Sequence, residues 1–154
     1  MGSPSDVEHC NKMKDIIEKY DIMVDMRVVS AHKNGEEIPG VIEAYNNSVE
    51  PGAVIAVAGR SNGLGGALSA NLTIPVFNCP PFKDKDDITV NINSSLMMPS
   101  NTPAATVVDP KNAAHAALRS LNLPRLKSIF IKEIVKMKAE LIEFDQNMRG
   151  KSDE

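Results

Sequence analysis

The stretch from Ala53 to Gly66 constrains the fold of this chain more than any other part of the sequence. It begins with an apolar run of small and β-branched residues, and Gly-Arg-Ser-Asn at positions 59–62 and three further glycines follow. A continuous apolar run is typical of a parallel strand that is covered on both faces. Glycines after such a strand let backbone amides approach a ligand. Because ligands bind beyond the carboxyl ends of strands in open α/β sheets, this loop predicts a binding site.

Length and charge narrow the class of protein. The 154 residues suit a single domain, and the net charge of −3 comes from mixed charges rather than clustered cations, which argues against a nucleic-acid partner. No apolar run reaches the ~20 residues needed to span a bilayer, and no targeting signal precedes the first motif. Cys10 and Cys79 lack the spacing of metal ligands, so we expect buried free thiols and a cytoplasmic location.

The periodicity of apolar residues predicts alternating helices and strands. Expected strands cover residues 22–29, 53–59, 74–79 and 104–108, and expected helices cover 7–20, 35–47, 64–71, part of 88–98, 110–121 and 125–149. This order predicts a three-layer, doubly wound (flavodoxin-like) parallel α/β sheet. No strand precedes the first helix, although the first strand of such a sheet is central and its neighbours would otherwise carry unpaired backbone. Three explanations stay open: a longer natural chain, an empty slot, or a slot filled in another way.

Two short segments carry candidate binding groups. Ser5 and Glu8 match a capping box, and a serine-rich turn before a helix suits a phosphate, although an ordinary capped helix explains it as well. His32 and Lys33 follow the strand 22–29, where an acid/base group and an anion ligand are expected. We interpret His9 and His115 as surface or packing residues, and the charge run at 83–87 as a solvated loop.

The last helix has a separate role. Apolar residues recur at alternating four- and three-residue steps, at Leu126, Phe130, Ile134, Met137, Leu141, Phe144 and Met148. This stripe is too long to be covered entirely by a small sheet domain, so it predicts packing against another copy of the chain. The sequence thus predicts a catalytic domain at 1–124, an oligomerisation helix at 125–150 and a disordered tail at 151–154.

Five motifs in this order resemble the phosphoribosylaminoimidazole carboxylase family of purine biosynthesis. They are the segments 2–6 (Gly-Ser-Pro-Ser-Asp), 30–33 (Ser-Ala-His-Lys), 58–65 (Ala-Gly-Arg-Ser-Asn-Gly-Leu-Gly), 94–99 (Ser-Ser-Leu-Met-Met-Pro) and 110–114 (Pro-Lys-Asn-Ala-Ala). One branch of the family is a mutase with Ala-Gly-Ala-Ala-Ala-His-Leu-Pro-Gly on the loop. The other branch adds CO2 directly to aminoimidazole ribonucleotide and carries Gly-Arg-Ser-Asn and Ser-Ala-His-Lys, so this chain is similar to the direct carboxylase.

The resemblance implies a role for each site residue. His32 would transfer the proton at C4, and Ser61 with the amides around Asn62 and Gly63 would hold the new carboxylate. Ser3, Ser5 and Lys33 would bind the 5′-phosphate, Asp6 the ribose hydroxyls, and Met98 and Pro99 would form an apolar wall against the ring. Arg60 would meet a substrate anion or hold the loop through a salt bridge. The family also implies no metal or other cofactor, no nucleic-acid or membrane partner, and a homo-oligomer, by resemblance an octamer.

Three alternatives stay open. The nearest is the N5-carboxyaminoimidazole ribonucleotide mutase. A phosphosugar-binding module without turnover belongs to another class, and an electron carrier with flavin would share the fold alone.

Overall fold

The structure is a computed structural model that describes residues 1–150. Residues 1–121 form one compact unit and the chain from Asn122 forms a second. The helices of eight or more residues and the strands are α1 Val7–Ile17, α2 Ile38–Asn46, β1 Val54–Ala56, α3 Gly63–Asn71, β2 Val76–Asn78, α4 Lys85–Leu96, β3 Ala105–Thr106, α5 Pro110–Ser120 and α6 Pro124–Gly150. The tail predicted at 151–154 lies outside the described residues.

The three strands form a parallel sheet in the order β1-β2-β3. Val54 pairs with Val76, and Phe77 pairs with Ala105. Helices α3 and α5 both pack on β1 and β2, α2 packs on α3, and α1 packs on α5. The doubly wound α/β fold class predicted from the element order is therefore confirmed, with shorter strands than expected.

Two of the predicted elements differ from the structure. Residues 22–29 form no regular strand, because the segment has no strand beside it within residues 1–150. Met1 and Gly2 bridge the segment to the end of β1 instead: Val29 N–H donates to the Met1 carbonyl, and Gly2 N–H donates to the Val57 carbonyl, both at 2.9 Å. Beyond this bridge, an apolar cavity of about 330 Å³ separates the segment from β1.

The charge run at 83–87 is not a simple solvated loop. The Asp84 carboxylate accepts hydrogen bonds from the amides of Asp86 (3.1 Å) and Asp87 (2.9 Å) and so caps α4. An aspartate in this position satisfies amides that have no partner inside the helix, and further carboxylates in the first turn suit its dipole. The run therefore starts a helix, and α4 extends well before the segment in which it was predicted.

The predicted cap of α5 is confirmed. Asp109 has an extended backbone, its carboxylate accepts from Asn112 N–H at 2.8 Å, and Pro110 occupies the first turn. Eight of the buried apolar side chains form one cluster beside the sheet: Val29, Ile38, Val41, Ala56, Ala58, Leu64, Leu68 and Val76. Both cysteines are free and buried, as predicted.

Helix α6 agrees with the sequence in its length. Leu126 and Phe130 are its buried residues, whereas Ile134, Met137, Leu141, Phe144 and Met148 are 36% to 66% exposed. The apolar stripe therefore continues along an exposed face. Among residues 1–150, no helix has the length and apolar content that crossing a membrane requires.

A pair of adjacent glycines in α3 gives a test of this packing. A Cβ on Gly65 would lie 2.1 Å from Asn78 Oδ1, whereas a Cβ on Gly66 would meet only Met98 Sδ at 3.6 Å. We expect Gly65→Ala to lower the free energy of unfolding by about 1–3 kcal/mol through overpacking. Gly66→Ala serves as the matched control, and its gain in helix propensity should raise stability by up to about 1 kcal/mol. Urea unfolding measures both, and equal effects of the two substitutions would contradict this packing.

Candidate active site

A cleft of about 930 Å³ lies at the carboxyl ends of β1 and β2. Four segments form most of its walls: the N-terminal turn with the start of α1, the turn at 30–33, the loop 58–61 after β1, and the loop 81–84 after β2. Leu64 of α3 and Asp87 and Asn91 of α4 complete the lining. Six of the predicted site residues line this one cleft: Ser3, Ser5, Asp6, His32, Lys33 and Ser61. Residues far apart in sequence therefore meet where the parallel sheet places ligands.

The N-terminal turn is capped by Ser3 rather than by Ser5. Ser3 Oγ accepts from Ser5 N–H at 3.3 Å, and the two hydroxyl oxygens are 2.8 Å apart. The predicted capping box between Ser5 and Glu8 is therefore wrong. Pro4 explains the difference, because a residue before proline prefers extended backbone, which is the conformation of an N-cap. Both serine hydroxyls stay at the cleft wall, directly before α1.

Asp6 stands at the start of α1, beside this turn. Burial raises the pKa of its carboxyl group, while the Met1 ammonium group and the Ser5 hydroxyl oppose the rise. Ser5 Oγ lies 3.5 Å from Asp6 Oδ1, at the limit of a hydrogen bond. The carboxylate thus retains acceptor capacity toward a bound hydroxyl group.

His32 lies on a turn that Asn34 closes. The Asn34 Oδ1 atom accepts from Ser30 N–H at 2.8 Å, and the backbone N–H of Asn34 donates to the Ser30 carbonyl at 3.1 Å. A Cβ on Gly63 would lie 3.1 Å from His32 Cε1, so the glycine lets α3 approach the imidazole closely. His32 and Lys33 are exposed at the cleft. The imidazole ring can therefore exchange protons with solvent.

The loop after β1 turns at Arg60, whose φ of 58° lies in the left-handed region. Helix α4 holds this turn: Arg60 N–H donates to Asn91 Oδ1, and Ser94 Oγ donates to the Arg60 carbonyl, both at 2.7 Å. Asn62 N–H donates to Ser94 Oγ at 3.0 Å, and Gly63 N–H donates to the Ser61 carbonyl at 2.9 Å. Within residues 1–150, the amide and hydroxyl of Ser61 remain without a hydrogen-bond partner.

Four predicted site residues do not line the cleft. Asn62 is buried and caps α3, since its Oδ1 accepts from Gly65 N–H at 2.8 Å and its Nδ2 donates to Ser95 Oγ at 2.9 Å. Gly63 contributes space for His32 rather than a cleft surface. Met98 and Pro99 lie outside the cleft lining. Their predicted substrate contacts stay predictions.

Sequence reasoning missed several residues of the cleft. His9 is buried at the cleft wall, Lys12 and Phe82 line it, and the His9 and Phe82 rings meet edge to face with centroids 5.9 Å apart. Helical spacing was the available signal, because His9 and Lys12 follow Asp6 at three-residue steps and therefore share its helix face. Phe82 had no comparable signal, since it stands on a loop after two prolines.

The cleft contains both signs of charge. Lys12, Lys33 and Lys83 supply cations, and Arg60 Nη2 lies 3.8 Å from Asp87 Oδ1. The Arg60 side chain is 75% exposed, so this ion pair contributes little to stability. Among residues 1–150, no three His, Cys, Asp or Glu side chains are grouped as metal ligands.

Below the cleft, His9 Nε2 and Cys79 Sγ lie 3.4 Å apart. Burial lowers the pKa of His9, and the nearby Lys12 lowers it further, so the ring stays neutral near pH 7. Burial raises the pKa of the Cys79 thiol to about 12, with smaller contributions from Cys10 and Asp109. The pair is therefore a neutral packing contact that supports the cleft wall.

Comparison with known proteins now adds a family and a fold. A family model described as AIR carboxylase matches residues 1–143. The Drosophila melanogaster bifunctional phosphoribosylaminoimidazole carboxylase/phosphoribosylaminoimidazole succinocarboxamide synthetase is 43% identical over 118 residues, which are 76% of this chain and 27% of that protein. This chain thus spans about a quarter of the length of such animal relatives.

Two microbial proteins match almost the whole chain. The phosphoribosylaminoimidazole carboxylase of Archaeoglobus fulgidus is 33% identical over 149 residues, or 97% of this chain and 76% of that protein. The crystal structure of Treponema denticola PurE has a TM-score of 0.87 at 33% identity, and the match covers 96% of this chain and 94% of that one. The fold described above is therefore the fold of PurE.

The buried thiol predicts how stability depends on pH. The folded-state pKa of Cys79, about 12, lies above its ordinary value of 9.0. Below pH ~9 the thiol is protonated in both states, and above it only the unfolded state loses the proton. We therefore expect the free energy of unfolding to fall as pH rises above about 9, and Cys79→Ala to fall less steeply. Urea unfolding at several pH values measures both slopes.

Ser69→Ala provides the control for this measurement. Ser69 is buried and its hydroxyl donates to the Gly65 carbonyl at 2.7 Å, but the residue does not titrate in this range. Its removal should lower stability and leave the pH slope unchanged. The same slope for Cys79→Ala and wild type would contradict the assigned pKa.

Proposed function

Because this chain belongs to the AIR carboxylase family, we propose that its cleft carboxylates C4 of 5-aminoimidazole ribonucleotide with CO2, giving 4-carboxy-5-aminoimidazole ribonucleotide in purine biosynthesis. The observation that carries the proposal is the juxtaposition of His32 with the unpaired amide and hydroxyl of Ser61 at one cleft. The first group is a proton acceptor, and the second supplies donors for an anion. A carboxylation at carbon requires both.

The reaction couples one new bond to one proton transfer. The aminoimidazole ring behaves as an enamine, and its C4 attacks the carbon of CO2 while one C=O electron pair moves to oxygen. The C4 proton then passes to the His32 imidazole, which restores the aromatic ring. A histidine base suits this step because its ordinary pKa lies near neutral pH. Exposure of His32 lets the proton leave for solvent before the next turnover.

The Ser61 donors act on the charge that develops in this step. A carboxylate forms where CO2 was neutral, so donors that are already oriented stabilise the product side of the reaction. The neighbouring amides of Asn62 and Gly63 have partners inside the protein, so we assign the carboxylate to Ser61 itself. Proximity of the bound reactants in the cleft would supply a further part of the rate.

The N-terminal turn and the turn at 30–33 would hold the rest of the substrate. Ser3 and Ser5 present hydroxyls just before α1, and amides at a helix start favour a phosphate. Lys33 supplies a positive charge on the neighbouring turn, and Lys12 adds one that the sequence did not indicate. Asp6 would accept hydrogen bonds from the ribose hydroxyls. Met98 and Pro99 remain proposed contacts of the ring. They lie outside the residues that line the cleft, so the substrate would have to extend beyond those residues to touch them.

The mutase is the alternative that the assay must separate. Its substrate already carries the carboxyl group on the exocyclic amine, and its family loop carries a histidine that residues 59–66 of this chain lack. We propose the direct carboxylase for this reason. We further propose a cytoplasmic location and a homo-octamer, with α6 in the contact between copies.

Substitution of His32 tests the assigned base. We expect His32→Asn to lower kcat by about 10²–10⁴-fold, because the C4 proton loses its acceptor, with little change in affinity for the ribonucleotide. The assay supplies aminoimidazole ribonucleotide with bicarbonate and follows the carboxylated product. His115→Asn is the matched control, since His115 lies outside the cleft lining and should leave kcat unchanged. Full activity of His32→Asn would refute the role of His32, and turnover of the N5-carboxylated substrate alone would favour the mutase.

The exposed stripe of α6 predicts the oligomer. Light scattering should give the mass of several copies, and Leu141→Glu with Phe144→Glu should shift the protein toward the monomer mass, because both side chains are exposed on that face. Glu143→Lys changes charge on another face of the helix and should leave the oligomer intact. A wild-type monomer, or equal dissociation by all three substitutions, would contradict the assignment.

A further inference from the structure

Helix α4 joins two loops of the cleft through a single buried side chain. Asn91 is 4% exposed, and its Oδ1 accepts from Arg60 N–H in the loop after β1 at 2.7 Å. Its Nδ2 donates to the Pro81 carbonyl in the loop after β2, also at 2.7 Å. One amide group thus ties together the loops that follow two neighbouring strands.

The same side chain fills the space beside the end of β1. A Cβ on Gly59 would lie 3.1 Å from Asn91 Oδ1 and 3.2 Å from Asn91 Cγ, which is closer than ordinary contact. Gly59 therefore gives Asn91 the room to reach the Arg60 amide. The contact fixes where the chain leaves the strand.

The left-handed turn follows directly. Arg60 is a residue with a Cβ at φ 58°, a conformation that persists only when surrounding contacts determine it. Asn91 holds its amide and Ser94 holds its carbonyl, so both backbone polar groups of Arg60 are bonded to α4. The orientation of the next residue, Ser61, then depends on α4.

From this arrangement we propose that Asn91 is a positioning residue, which holds the Ser61 donors in place for the carboxyl group at the cleft. The proposal rests on the function proposed above, because it assigns Ser61 to the CO2 end. Asn91 acts through Arg60 and Ser61, and its exposed surface is too small for it to be the principal contact of the substrate. A loose loop would misplace the donors, and misplacement by about 1 Å can lower a rate by about a hundredfold.

Kinetics with each substrate varied separately distinguish positioning from general stability. We expect Asn91→Ala to raise the KM for CO2 and lower kcat/KM for CO2 by about tenfold to a hundredfold. The KM for the ribonucleotide should change by less than about threefold, because its phosphate is assigned to the N-terminal turn and Lys33, which Asn91 does not contact. A loss of folded protein would instead lower kcat and leave both KM values unchanged, which would overturn the proposal.

Two further variants sharpen the assignment. Asn91→Asp keeps an acceptor for Arg60 N–H and removes the donor to the Pro81 carbonyl, so its CO2 KM should lie between those of wild type and Asn91→Ala. Asn93→Ala changes an exposed residue of the same helix and should behave as wild type. Equal kinetics for Asn91→Ala and Asn93→Ala would overturn the proposal.

A double-substitution cycle tests the contact with Gly59. Gly59→Ala should impair CO2 use in the wild-type background through its clash with Asn91. In the Asn91→Ala background the added methyl group no longer meets the Asn91 amide. The further loss of kcat/KM for CO2 should therefore be smaller than in the wild-type background. Fully additive effects would show that the two residues do not act through one contact.

Amide hydrogen exchange separates failure of this proposal from failure of the proposed function. Exchange at Arg60 N–H should be at least about tenfold faster in Asn91→Ala than in wild type, whether or not the protein turns over aminoimidazole ribonucleotide. An inactive wild type with this change in exchange would refute the proposed function while the loop contact stands. Unchanged exchange at Arg60 would refute the positioning role itself.

Discussion

The left-handed turn at Arg60 is the constraint on which the rest of the cleft depends. A residue with a Cβ pays about 1–2 kcal/mol to adopt this conformation, so it needs contacts that make the alternatives worse. The two hydrogen bonds to α4 supply these contacts. They also satisfy the N–H and carbonyl groups of Arg60, which lie beside the buried side chain of Asn91. Without the turn the chain would continue in the direction of β1, and Ser61 would leave the cleft wall.

This constraint explains the composition of α4. A helix that only covers a sheet presents an apolar face, but the buried residues of α4 are Asn91 and Ser95. Ser95 accepts from the Asn62 side chain, and its carbonyl accepts from Thr106 Oγ1 at 3.0 Å. The polar face of α4 is thus satisfied by the loops after β1 and β2 and by Thr106 of β3. The bond between Asn62 and Ser95 is buried, where an unpaired group would be costly.

The sequence allowed prediction of elements whose signals are local. Asp109 and Pro110 predicted the start of α5, and the apolar run after Gly52 predicted β1, because a cap or the composition of a strand is set by neighbouring residues. Residues 22–29 have the composition of a strand but not the structure of one. A strand requires a hydrogen-bonded neighbour, and in the described residues only Met1 reaches this segment from the side of β1. Composition cannot predict the presence of that neighbour.

The candidate site likewise contains turns that are closed by residues nearby in sequence and a turn that is held by residues distant in sequence. The turns that carry Ser3 and His32 are closed by side-chain hydrogen bonds that span two and four residues, so their motifs were recognisable in the sequence. The turn that carries Ser61 is held by side chains 31 and 34 residues away, and neither Asn91 nor Ser94 could be assigned to it from sequence alone. His9 is a packing residue, one of the two interpretations that the sequence allowed, but its place at the cleft wall was not predicted, since the helix face that includes Asp6 was not followed one turn further.

The sequence separation of these hydrogen bonds corresponds to the role that each part of the cleft would have in the proposed reaction. A phosphate is a large, charged group that serine hydroxyls on a locally closed turn can bind with some freedom of position. A proton acceptor must exchange with solvent, and His32 is exposed on a turn that needs only Asn34 to close it. CO2 is small and uncharged, so it offers little binding energy to organise a loop around itself. In the proposed reaction the donors for its carboxylate would have to be oriented before it arrives. The Ser61 loop is suited to this, because it is tied to a buried helix face rather than to its own neighbours.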